Sequence, residues 1–266
     1  MSVTFKCLTA TIRGAALAAA VFATLPVAQA TTITQWNFNI ATGVNNSPAP
    51  SVGVGSATPV GMNNNANNAD ILAAGGANTD SGAPNNAWRV RGSVNNGWSG
   101  TTELLSGAQF SASTSGYQDV VVSFDLSPTD GSPRHGQFQY STDGTTFTSF
   151  GPLLDFNAHH GTPAVPWINY SFDLSSVAGV NDNPSFAFKL VSAFSPDAFT
   201  NNNGPQAAGT AFQRADAGNG VYNGTAGNWR FDMVTIAGSL IPEPSSASLI
   251  GGALAGLALT RSRRRC

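Results

Sequence analysis

The sequence predicts an all-β chain: a single antiparallel β-sandwich of jelly-roll type, carried between two apolar terminal segments. Three observations predict it. Apolar and polar residues alternate with period two in seven separate segments, which sets one face of each strand on a core and the other toward water. Gly, Asn, Asp, Ser and Pro, the residues that turns require, fill the stretches between them. Helix formers are sparse, with glutamate only at Glu103 and Glu243.

The strand segments are read in chain order. Residues 33–38, ITQWNF, set Thr34, Trp36 and Phe38 against Ile33, Gln35 and Asn37. Residues 87–92, AWRVRG, set Trp88 and Val90 against Arg89 and Arg91, whose guanidinium groups are expected to pair with acids across the sheet. In 119–126 Val120, Val122, Phe124 and Leu126 share a face, and 136–141 contributes Phe138 and Tyr140. In 166–174 Ile168, Tyr170, Phe172 and Leu174 share a face opposite Trp167, and in 184–194 Phe186, Phe188 and Leu190 do so. Residues 228–238 put Trp229, Phe231 and Met233 on one face and Arg230, Asp232, Val234 and Ile236 on the other. About nine or ten such strands fill a two-sheet sandwich. The stretch 127–133 reads as a turn, and 141–146 as a hairpin in which Asp143-Gly144 takes positive φ. One short helical turn, capped by Asp173 or Ser175, is expected within 173–184. Residues 41–86 and 200–227 read as long loops.

The ends carry addresses. Lys6 and Arg13 precede an apolar run from Gly14 to Val27, which closes on Ala28-Gln29-Ala30. This is the pattern of a secretory signal peptide, residues 1–30, cut after Ala30. The domain then spans 31–240, and residues 241–266 form a tail. In it, Pro242-Glu243-Pro244 precedes 16 uncharged residues, Ser245 to Thr260, and then Arg261, Arg263, Arg264 and Arg265. As a helix that run spans about 24 Å, a short crossing of a hydrocarbon core of ~30 Å. The arginines hold its end in the cytoplasm.

These three ordered tail elements resemble the PEP-CTERM protein-sorting tail of Gram-negative bacteria. The resemblance implies a short transmembrane sorting helix and handling by an exosortase, after signal peptidase has acted at the other end. It also implies a transient inner-membrane anchor, then release or attachment at the cell surface. QWNFN, WRVRG, FQYSTDGTTF and NWRFDMVTIAG are similar to the β-sandwich passenger domains that precede such tails.

Composition narrows the function. Residues 31–244 keep all fourteen acidic residues but six of the twelve basic ones, a net charge of −8. Such a surface argues against nucleic-acid binding. Neither Cys7 nor Cys266 lies in this part, so it has no disulfide framework and no thiolate zinc site. His159 and His160 are adjacent and on a strand would point to opposite faces, His135 stands apart, and no carboxylate pair stands out by spacing. No catalytic residue is therefore assigned, and no cofactor is expected except a possible structural Ca²⁺. Its oxygen ligands would come from Asp130, Asp143, Asn181, Asp182, Asn183, Asp197 and Asp232. Of the tryptophans, Trp98 in NNGWSG sits among turn residues and is the one expected to be exposed, as a platform for a sugar ring. The expected function is a structural or interaction role in the envelope or exopolysaccharide. A carbohydrate-binding module comes second, and a glycoside hydrolase-like enzyme third.

Overall fold

The computed structural model describes residues 29–62, 69–91, 98, 100–156, 167–216, 220–222, 224 and 227–242. Ala28, Glu243, Pro244, the terminal arginines, the expected sorting helix, His159 and His160 lie outside the described residues. The first strands are β1 (Ala30–Trp36), β2 (Gly43–Val44), β3 (Ser56–Val60), β4 (Ala69–Leu72) and β5 (Ala87–Arg91). Next come β6 (Gly107–Ser111), β7 (Tyr117–Pro128), β8 (His135–Ser141), β9 (Thr148–Ser149) and β10 (Leu154–Asp155). The last are β11 (Ile168–Asp173), β12 (Ala187–Ala193), β13 (Phe199–Asn201), β14 (Gly204–Gln206) and β15 (Asn228–Leu240). Among the described residues there is no helix, and every ladder is antiparallel.

Two sheets face each other. One has seven strands in the order β11-β7-β15-β5-β4-β2, with β1 also on β15. The other has six, β10-β8-β12-β6-β3, with β9 on β8. Their inner faces meet through aromatic rings, because alternate residues of each strand point the same way. Trp88 meets Phe110 edge-on at 5.7 Å, and Phe172 stacks on Phe138 at 3.8 Å. Phe110, Phe188 and Phe138 continue the stack along the six-stranded sheet. Offset and edge-to-face geometries like these add to the gain from burial.

β15 organises the seven-stranded sheet. β7 flanks it on one side, and β5 and then β1 flank it on the other. Simple alternation placed Val234 and Ile236 opposite Phe231, yet all three are fully buried in the core. A β-bulge resolves the conflict. The register against β7 shifts between Asp232 and Thr235, and Met233 sits at φ 46°. One extra residue turns the strand so that both halves face inward.

Two other expectations are corrected. Residues 41–86 carry β2, β3 and β4, and residues 200–227 carry the end of β13 and all of β14. Residues 173–184 form turns in place of a helical turn, with the Ser175 N–H donating to Asp173 Oδ1 at 2.9 Å. Pairing of β15 runs to its last residues. Ser239 pairs with Ala30, Leu240 pairs with Tyr117, and Ile241 N–H donates to Gly116 O at 2.9 Å. The chain therefore enters and leaves the sandwich at one end.

Candidate functional site

Trp98 does not offer a face to solvent. It is 2 % exposed, its ring centroid lies 4.6 Å from that of Trp229, and its indole N–H donates to Gly227 O at 3.4 Å. The expectation of an exposed platform is thus corrected: the ring is packed inward against Trp229. Trp36, Trp88 and Trp229 are fully buried as well, while Trp167 is half-buried.

Among the described residues, a concavity lies on the outer face of the six-stranded sheet. Phe110 points into the core, so Gln109 and Ser111 on β6 point outward. They floor an open cleft of about 450 Å³. One wall is Val54-Gly55-Ser56, leading into β3, and the Ser56 and Ser111 hydroxyls share a hydrogen bond of 2.7 Å. The other wall is the turn after β8, with Asp143, Gly144 and Thr145. This turn is the expected hairpin, with β9 paired back on β8 and positive φ at Gly144 (77°) but not at Asp143. Asp143 Oδ1 accepts the N–H of Thr145 at 2.8 Å and of Thr146 at 2.6 Å, and the Ser141 hydroxyl at 2.9 Å. Those bonds hold its carboxyl well below the usual carboxylate range. Ser113 and Ser185 complete the polar lining. Beyond the cleft on the same face, Lys189 is the register partner of Gln109, with its Nζ 4.2 Å from the Phe147 ring centroid.

The cleft borders the segment that joins β6 to β7, through Ala112 and Ser113. Next to Ser113, Thr114 N–H donates to Asn183 O at 2.7 Å, and Gly116 O receives the Ile241 N–H.

The carboxylates gather elsewhere. Asp125 on β7 and Asp232 on β15 are register partners, 1 % and 0 % exposed, on the outer face of the seven-stranded sheet. Residues 77–80 close over them. Ala77 N–H donates to Asp232 Oδ2 at 2.7 Å, and the Thr79 hydroxyl donates to Asp125. Met233 N–H reaches Asp232 Oδ1 at 2.7 Å, and the Asn169 amide reaches Asp125 at 2.9 Å. The Asp80 carboxylate receives the Asn39 amide at 2.6 Å. Burial pushes the Asp232 carboxyl up to about 7, with Asp80 and Asp125 adding to the shift. This pair is sealed by protein and lies on the sheet opposite the cleft.

The remaining candidates serve the fold. His135 is buried with its Nδ1 unpartnered and its Nε2 4.0 Å from Asp155, and burial pulls its pKa down. Arg89 pairs as expected, in a two-pronged bridge to Asp70 on the adjacent strand at 2.8 and 2.5 Å. The oxygens expected to bind Ca²⁺ are divided. Asp182 caps Gly116, Asn181 caps Val120, and Asn183 accepts from Ser185. Among the described residues, no group of three or more His, Cys, Asp or Glu side chains is placed to hold a metal ion.

No family model and no curated protein matches the chain. Similar solved structures include the C-terminal family 22 carbohydrate binding module of Clostridium thermocellum Xyn10B, studied for the role of its cleft in ligand binding. The identity is 12 %, the match covers 78 % of this chain and 94 % of that one, and the TM-score is 0.36. SGBP-B from a xyloglucan utilization locus of Bacteroides uniformis matches at 12 % identity over 79 % of this chain and 50 % of that one, TM-score 0.33. TmCBM61, solved with β-1,4-galactotriose, matches at 11 % identity over 71 % and 88 %, TM-score 0.30. Likenesses this distant carry no argument about the ligand of this chain.

Proposed function

We propose that this chain is an exported protein of a Gram-negative bacterium, sorted by an exosortase and placed at the cell surface or outside it. There its sandwich, which we read as a jelly roll, has a structural or interaction role in the envelope or the exopolysaccharide. One observation carries the reading. The strands run from Ala30 to Leu240, so the sequence read as signal peptide overlaps β1 by one residue, Ala30, and the sequence read as sorting tail follows β15 with no spacer. In cells that encode an exosortase, the recovered protein is expected to begin at Thr31 and to lack the arginine cluster. Replacing Arg263, Arg264 and Arg265 with Gln is expected to leave the precursor misoriented or unprocessed. Intact residues 1–30 and 245–266 on the recovered protein, by mass spectrometry, would overturn the reading.

A carbohydrate-binding role is the second reading, favoured by the open cleft that carries serine hydroxyls, Gln109 and Asp143. Hydrolysis fits less well. The close carboxylate pair is sealed under residues 77–80, and the buried Nδ1 of His135 has no hydrogen-bond partner. No reducing ends above a boiled control are expected.

A further inference from the structure

We propose that the cleft between Val54-Gly55-Ser56 and Asp143-Gly144-Thr145 binds an uncharged, hydroxyl-rich saccharide. The inference rests on the carbohydrate-binding reading and assigns it a place and a ligand class.

The lining decides the class. Ser56, Ser111, Ser113 and Ser185 carry hydroxyls, and Gln109 an amide. Each both donates and accepts, as neighbouring sugar hydroxyls require. Asp143 adds one charged acceptor, fixed by the bonds to Thr145 and Thr146 and ionised throughout the physiological range. Among the described residues no basic side chain lines the cleft, so an anionic polymer finds no countercharge there. The neighbouring Lys189 is turned onto Phe147. The size, about 450 Å³, falls within the ordinary range of small-ligand clefts.

The lining also sets the strength. Its one aromatic residue, Phe186, is fully buried and has no face to stack on a sugar ring. Affinity then rests on hydrogen bonds that compete with water, giving a Kd on the order of 1 mM for a single cleft. Position makes that sufficient. Ser113 of the cleft lies three residues before Gly116, which accepts the Ile241 N–H where the chain leaves the sandwich. Many copies held at one glycan-covered surface would bind it by avidity, each weak site contributing.

The test uses the full chain in mild detergent. Affinity electrophoresis is run in gels containing dextran, galactomannan or xylan, with alginate as the anionic polymer, beside Gln109→Ala and Ser111→Leu. Wild type is expected to be retarded by at least one neutral polymer and not by alginate. Both variants should weaken retardation about tenfold while melting within a few degrees of wild type. Gln109→Ala keeps the test open if Ser111→Leu does not fold. Undiminished retardation in the variants would overturn the cleft assignment and leave the carbohydrate-binding reading standing. No retardation by any polymer would overturn both. Retardation by alginate alone would overturn the ligand class.

Discussion

Asp232 is a carboxylic acid kept dry beside two others, Asp80 and Asp125, and its carboxyl is raised to about 7. Because the folded state holds this proton more tightly than the unfolded chain does, Asp232 favours folding least above pH 7. Its contribution improves as pH falls toward its unfolded value near 4. His135 acts in the opposite sense: its pKa is lowered by burial, so the folded state loses stability as pH falls through 6.5. The difference between wild type and Asp232→Asn isolates the carboxyl. The variant should be clearly less stable at pH 5, and the gap should close by up to about 1.4 kcal/mol per pH unit toward pH 7. Denaturant melts at pH 5, 6, 7 and 8 measure it, and a constant gap would show that Asp232 stays ionised throughout. Single residues were unevenly legible in the sequence. Trp88, Phe124, Phe188 and Trp229 declared themselves by alternation, since a strand face has period two. Trp98 did not, because an isolated aromatic among glycines has no period and its burial depends on where the loop docks. The opposition of Asp125 and Asp232 depends on which strands pair, which a lone strand pattern does not contain.

Strands with a long apolar alternation were legible: β5, β7, β8, β11, β12 and β15 all lie where the alternation predicts them. Those it missed, β2, β3, β4, β6, β9, β10, β13 and β14, are five residues long or shorter, and β3 and β6 carry Ala, Gly and Ser with only one larger apolar side chain each, Val60 and Phe110. They are strands because neighbours supply their hydrogen bonds, not because of their own side chains. The floor and one wall of the cleft come from β6 and the start of β3, so the candidate site was illegible for the same reason. β15 shows the converse, a strand recognised but given the wrong face beyond Asp232. Its bulge at Met233 can be tested. Deleting Met233 should remove the extra residue and leave Phe231, Val234 and Ile236 at even spacing, so that a regular strand still buries all three against β7 in register. Soluble protein with a sharp melting transition is expected. Met233→Gly, which accepts positive φ without strain, should also fold and keep a sharp melting transition. An insoluble or molten deletion variant would mean that the bulge is required for more than the facing of the strand.

At the scale of the whole molecule, the first strand of the sandwich starts where the last strand ends. Ala30 lies against Ser239, Leu240 against Tyr117, and Ile241 against Gly116. The apolar pattern fades after Ile236 while the ladder continues to Leu240. A chain ending at Leu240 keeps every strand pair of β15, so its Tm should match that of the full chain within about 1 °C. A chain ending at Ile236 loses the partners of Val121, Gln118 and Tyr117 on β7, and it leaves Ala30, Thr31 and Thr32 of β1 unpaired. The underlying core, with Ile236 and Val122 still in place, survives. The loss is therefore one of strand pairing at one end of the sandwich, worth a few kcal/mol. On the usual scaling of about 2–4 °C per kcal/mol for a domain of this size, Tm should fall by roughly 5 °C or more. Scanning calorimetry of the two truncated chains beside the full one decides it. Equal melting of both would place the last structural residue at Ile236 and make the pairing of Ser239 and Leu240 incidental to the fold.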